Sequence, residues 1–147
     1  MTDPIVRLPD WRDRLQRYLD AQRGRRFAYG WADCALFAAG AVRAMTGQDV
    51  ARPWRGRYAT LRDGVRLLGG DDIHGLESLA TRVLGPSVDP AAARVGDIVS
   101  IPAGDRRSIS LAVCTGDHVV AIARPVGLAV RPLKIGRACW RVGEWAV

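Results

Sequence analysis

The sequence predicts a single α+β domain in which N-terminal helices, one of them central, pack on a C-terminal antiparallel sheet. Three observations predict it. The first half carries capped, amphipathic helical stripes; the run Cys34 to Met45 is apolar almost all round; and beyond Gly96 the chain breaks into short β-rich runs separated by Gly, Asp and Pro. The 147 residues suit one domain, 1–147, with a real hydrophobic core, and no linker, repeat or low-complexity segment divides them.

Taken in order, "PDWRDRLQRYLDAQRGRR" is a helix capped by Asp10. Its stripe is Trp11, Leu15, Tyr18, Leu19 and Ala21, its other face is arginine and aspartate, and Gly24 ends it. The second helix starts at Asp33, a cap, and runs from Cys34 to a stop at Gly47 with Arg43 as its one charge. A helix so apolar is covered on several sides. The loop "TGQDVARPWRGRY" follows. Thr60 then caps a helix using Leu61, Val65 and Leu68, ended by Gly69-Gly70. Asp72 caps another using Leu76, Leu79, Ala80 and Val83, ended by Gly85-Pro86. The strands are "DIVSIP", "SISLAVC", "HVVAIA", "GLAVRPL" and "ACWRVGEWAV", and Gly116-Asp117 turn a hairpin between the second and third.

The net charge of +7, carried almost entirely by arginine, favours acidic partners: nucleic acid, anionic cell-wall polymers or the acidic faces of an assembly. The alternative is a solvated, arginine-rich surface. Cys34, Cys114 and Cys139 are widely spaced and odd in number, and His74 and His118 are the two imidazoles, so neither a metal site nor a disulfide framework is expected, and no cofactor. The start "MTDPIVRLPDW" lacks the build of a signal peptide, and no apolar run approaches a membrane span, which predicts synthesis in a reducing cytoplasm.

"YGWADCALFAA" and "RVGDIVSI" are the informative pieces of a wider likeness. A "DC" opening a buried helix, then a Gly-Asp-apolar strand, then a hairpin resembles the NlpC-type branch of the papain-like cysteine peptidases, which cleave peptides of the bacterial cell wall; the likeness runs loosely from Phe27 to Leu133. The combination "FAYGWADC", "RGRYAT" and "GLAVRPL…ACWRV" is similar to a small family found among the tail genes of phages and prophages. That likeness covers most of the chain. It implies a tail context more than a reaction.

The resemblance makes Cys34 the candidate nucleophile, placed in the first turn of a helix where a thiol is readily activated. Trp31 would wall the cleft. Asp33 beside the thiol opposes its ionisation, less so if its carboxylate is engaged as a cap. The catalytic histidine of the NlpC type opens the strand that here reads "SLAVCTG", which puts Ser110 in its place, and Ser110 is no base near neutral pH. With Thr115 opposite His118 across the turn, Ser110 faces Ala123, which orients nothing. His118, at the turn end, is about 13 Å along the strand from Ser110. His74 is expected to hydrogen-bond near Asp71 and Asp72. Arg124, next to Ala123, would lower a nearby thiol's pKa but cannot accept its proton.

The preferred reading is therefore a degenerate NlpC-type domain serving in or around a phage or prophage tail tip, with other tail or particle proteins as partners and Cys34 kept as a small buried residue. The alternative is a cell-wall (peptidoglycan) cysteine peptidase or amidase using Cys34 with another base. A third reading, nucleic-acid binding, rests on charge and on "RPWRGRY". Trp31, Trp54, Arg55, Arg57 and Tyr58 are the candidate interface, since arginine forks engage carboxylates or phosphates while Trp and Tyr stack or anchor. The competing account folds Trp54 and Tyr58 back on the core. Cys114 and Cys139 read as core, and Trp140 and Trp145 either seal the sheet or await a partner.

Overall fold

A computed structural model describes residues 4–68, 75–103 and 108–145 of the chain. Its elements run β1 (Val6–Arg7), α1 (Trp11–Gln22), α2 (Cys34–Thr46), α3 (Leu61–Leu68), α4 (Gly75–Leu84), β2 (Ile98–Ala103), β3 (Ser108–Cys114), β4 (His118–Ile122), β5 (Leu128–Pro132), β6 (Ala138–Trp140) and β7 (Glu144–Trp145). This is the expected α+β order. The five-stranded sheet is ordered β5-β4-β3-β2-β6, with every neighbouring pair antiparallel. A separate two-stranded sheet pairs β1 with β7 in parallel.

α2 occupies the centre because its sequence leaves it no polar face. Leu36, Phe37, Ala38, Ala41, Val42 and Met45 are buried along it. They meet Trp11, Leu15 and Leu19 of α1 on one side and Ile98, Leu111, Val113 and Trp140 of the sheet on the other. The opposite face of the sheet has its own core of Val99, Ile101, Ala112, Cys114, Val119 and Cys139, covered by Val88, Ala93, Leu133 and Ile135. Coverage on both faces explains why β3 is apolar without alternation.

Several boundaries depart from the sequence expectations. α1 ends at Gln22 with Arg23 as its C-cap, one residue before Gly24; Asp10 stands at the N-cap as expected, but its carboxylate accepts from Arg14 Nε at 2.8 Å and makes no capping hydrogen bond. Ala21 is exposed while Gln22 is buried, so the stripe turns one residue further round than its apolar residues predict. Leu61, expected on the apolar stripe of α3, is exposed; Thr60 Oγ1 does accept the Asp63 amide of that helix, at 3.1 Å. The side chains of Val65 and Leu68, the glycines at 69–70 and the cap assigned to Asp72 lie outside the described residues. The last predicted strand is two: β6 joins the main sheet, then Arg141 to Gly143 lead into β7. Trp140 is buried and donates through Nε1 to Thr81 Oγ1 at 3.0 Å, so it seals the sheet against α4; the side chain of Trp145 lies outside the described residues.

One buried ion pair joins the two sheets. Arg7 is 1 % exposed and places Nη2 3.0 Å from Asp97 Oδ1, Nε 2.8 Å from the Val142 carbonyl and Nη1 2.8 Å from the Val95 carbonyl. Asp97 also accepts the backbone amides of Arg94 at 2.9 Å and Val142 at 3.3 Å. The Gly-Asp of "RVGD" thus has a mechanical meaning. A Cβ on Gly96 would stand 2.7 Å from Met45 Sδ and 2.8 Å from Arg7 Nη1, so only glycine lets the ion pair close beneath α2.

Candidate functional site

Asp33 organises the start of α2. Its backbone is extended, as an N-cap requires, and Oδ1 accepts the Leu36 amide at 2.9 Å. Oδ2 accepts the Gly30 amide at 2.9 Å and the Tyr58 hydroxyl. The capping role expected for Asp33 is therefore filled, and the carboxylate has further work in tying the 54–58 loop to the helix. Gly30 takes φ +84, and a Cβ there would lie 1.9 Å from the Tyr58 carbonyl oxygen, so the Tyr-Gly of "AYGWADC" allows the two loops to touch.

Cys34 follows as the first residue of α2, half-buried against the main core. Two residues it meets come from β3, the strand paired with β2 through Ile101–Ser110 and Ser100–Leu111. Burial pushes its thiol up to about 11, and the Asp33 carboxylate pushes in the same direction. Interactions with the Leu111 backbone, the Ser110 side chain and the Ala35 backbone favour the thiolate but do not prevail. The helix N-terminus lowers a thiol only where desolvation does not outweigh it.

The structure thus brings Cys34 and Ser110 together. The β3–β4 register is set by Val113–Val120 and Cys114–Val119, and the Thr115 amide donates to the His118 carbonyl at 2.9 Å across the turn; no pair between these strands is described at Ser110. His118 is exposed as the first residue of β4, beside the turn. Arg124 stacks on Phe27, 4.2 Å from the ring centroid, and is not among the groups acting on the Cys34 thiol. His74 lies outside the described residues.

The five interface candidates divide. Tyr58 is buried and spends its hydroxyl on Asp33. Trp54 is half-buried and lines, with Leu36, Tyr58, Leu79 and Leu111, an apolar hollow of about 490 Å³ counting its open mouth. Arg55 is paired with Asp49, Nη2 to Oδ1 at 2.8 Å, and Asp49 also takes Arg43 at 3.8 Å. Trp31 and Arg57 remain on the surface. The Tyr58–Asp33 link joins residues 25 apart and has no local signal in the sequence. Cys114 and Cys139 are buried free thiols, as expected of core residues.

Among the described residues no group of three or more His, Cys, Asp or Glu could hold a metal ion, and no helix is long and apolar enough to cross a membrane. The chain belongs to the family described as Domain of unknown function (DUF6950), which it matches over residues 6–142. That span takes in Arg7, Asp33, Cys34, Asp97 and Ser110. No curated protein matches the chain.

Proposed function

We propose that this DUF6950 member is a papain-like domain of NlpC type whose catalytic site has degenerated, and that it serves as a structural component in or around the tail tip of a phage or phage-derived particle. The observation that carries the reading is the meeting of Cys34 with Ser110, a hydroxyl where a peptidase needs an imidazole. Burial and the Asp33 carboxylate push the thiol up to about 11, which disfavours the thiolate that a thiol peptidase needs. A buried helix leading with Cys34, a Gly-Asp strand after it and a hairpin whose first strand faces the cysteine support the NlpC-type ancestry. The likeness to tail-gene proteins supplies the setting.

An inert thiol predicts a mild phenotype for its removal. Cys34→Ala is expected to change stability by about 1 kcal/mol or less, since one sulfur is lost from a half-buried position. In the encoding phage or prophage, particles carrying Cys34→Ala should assemble and adsorb as the parent does, while deleting the chain removes functional tails. Folded Cys34→Ala protein in particles that no longer penetrate the wall would instead speak for a working peptidase.

A further inference from the structure

The arginine charge is not spread evenly. On α1 it is balanced within the helix: Arg14 pairs with Asp10 at 2.8 Å, Arg17 with Asp13 at 2.8 Å, and Arg23 with Asp20 at 3.3 Å. A different arrangement holds where three chain segments meet in front of α2. The Phe27 amide donates to the Pro125 carbonyl at 2.9 Å, the Gly127 amide to the Arg25 carbonyl at 3.0 Å, and the Gly56 amide to the Gly30 carbonyl at 2.7 Å. Segments 25–31, 54–57 and 124–127 are thereby stitched into one surface. It displays Arg25, Arg26, Arg57 and Arg124, all exposed, and no ion pair among the described residues engages any of them. The nearby carboxylates are already taken, Asp33 by three donors and Asp49 by two arginines.

Trp31 belongs to the same surface and is 55 % exposed. It is fixed rather than dangling. Arg25 Nη2 donates to its carbonyl at 3.1 Å, and its ring lies against Gly56, where a Cβ would come within 2.7 Å of the indole. On the same surface Arg124 is exposed and sits over Phe27 and Tyr29, 4.2 and 5.0 Å from their centroids. A rigid exposed tryptophan on one surface with arginines lacking carboxylates is the composition of a binding hot spot.

We propose that this surface is a docking site for an acidic segment of a partner protein, with Trp31 as the anchor and Arg25, Arg57 and Arg124 as the carboxylate receptors. The patch is compact, and the neighbouring helix α1 interleaves its arginines with carboxylates, which favours a short acidic peptide over an extended nucleic-acid backbone. The proposal names the partner of the scaffold described above and rests on that reading.

The full chain is titrated against fluorescein-labelled octaglutamate and, separately, octathymidylate by fluorescence anisotropy at equal ionic strength. Octaglutamate should bind, and bind better than octathymidylate. Trp31→Ala and Arg57→Ala should each weaken it about tenfold or more, while Arg17→Ala on α1 leaves it unchanged. Arg57→Gln, which keeps the aliphatic stem, should behave as Arg57→Ala. Tighter binding of octathymidylate, with the same sensitivity to Trp31→Ala, would assign the surface to nucleic acid and overturn the proposal. Absence of octaglutamate binding, or equal losses in Arg17→Ala, would overturn it too. Hydrolysis of peptidoglycan by the same preparations would sink the scaffold reading while leaving the binding result standing.

Discussion

Asp97→Ala should lower the free energy of unfolding by about 3–5 kcal/mol, the cost of stranding a buried charge. Arg7 is 1 % exposed, and without the Asp97 carboxylate its guanidinium loses this buried ion pair while keeping the Val142 and Val95 carbonyls. The Arg94 and Val142 amides lose an acceptor at the same time. Since this pair ties β1 to the Val142 segment that leads into β7, the loss should be seen first as exchange of the β1 and Val142 amides, then as a lower urea midpoint. Asp97→Asn keeps acceptor capacity for the two amides and should recover part of the loss. A cost of under about 1 kcal/mol for Asp97→Ala would mean that the pair is solvated, contrary to its burial.

Asp33→Ala should cost about 3 kcal/mol, combining a lost helix cap with the stranding of the Tyr58 hydroxyl and the Gly30 amide. The charge and the hydrogen bonds separate in Asp33→Asn, which retains an acceptor for the cap. The Asp33 charge raises the Cys34 thiol, so its removal moves that thiol downward from about 11, and the pH at which half of it is ionised falls accordingly. Paired urea melts and thiol titrations of the two variants check both parts. Equal stability of Asp33→Ala and the parent would remove Asp33 from its place at the head of α2.

Much of the fold is legible because it is written in short-range pattern. The Asp33 cap, the apolar run after it and Gly47 at φ +79 delimit α2 from sequence alone. Strand β3 occupies the residues of "SISLAVC", and its hairpin turns where Gly116-Asp117 predict. What escaped the sequence is held by contacts between distant residues. β1 and β7 are each two residues long, too short to carry a period, and the ion pair that fixes them spans 90 positions. Leu61 is exposed on a helix that turns Gly64 toward the Tyr58 ring, a contact that no local apolar stripe reveals.

The candidate site divides the same way. Cys34 is found by reading a helix start, a local signal, whereas Ser110, the third residue of β3, is singled out only through the resemblance to the NlpC type. The use of Tyr58 on Asp33, and the separation of Trp31 and Arg57 from the inward-facing Trp54 and Tyr58, depend on how two loops fold together. "RPWRGRY" therefore reads as one motif in the sequence but splits into a structural half and a surface half in three dimensions.

The central claim, that Cys34 is a protonated thiol facing Ser110 with no base beside it among the described residues, is tested most directly by its alkylation rate as a function of pH. Iodoacetamide labelling of the native protein, followed at the Cys34 peptide by mass spectrometry, should be slow at pH 7 and rise toward a midpoint near 11. A midpoint at or below neutrality, with rapid labelling at pH 7 in the folded protein, would contradict the account and return Cys34 to the role of nucleophile.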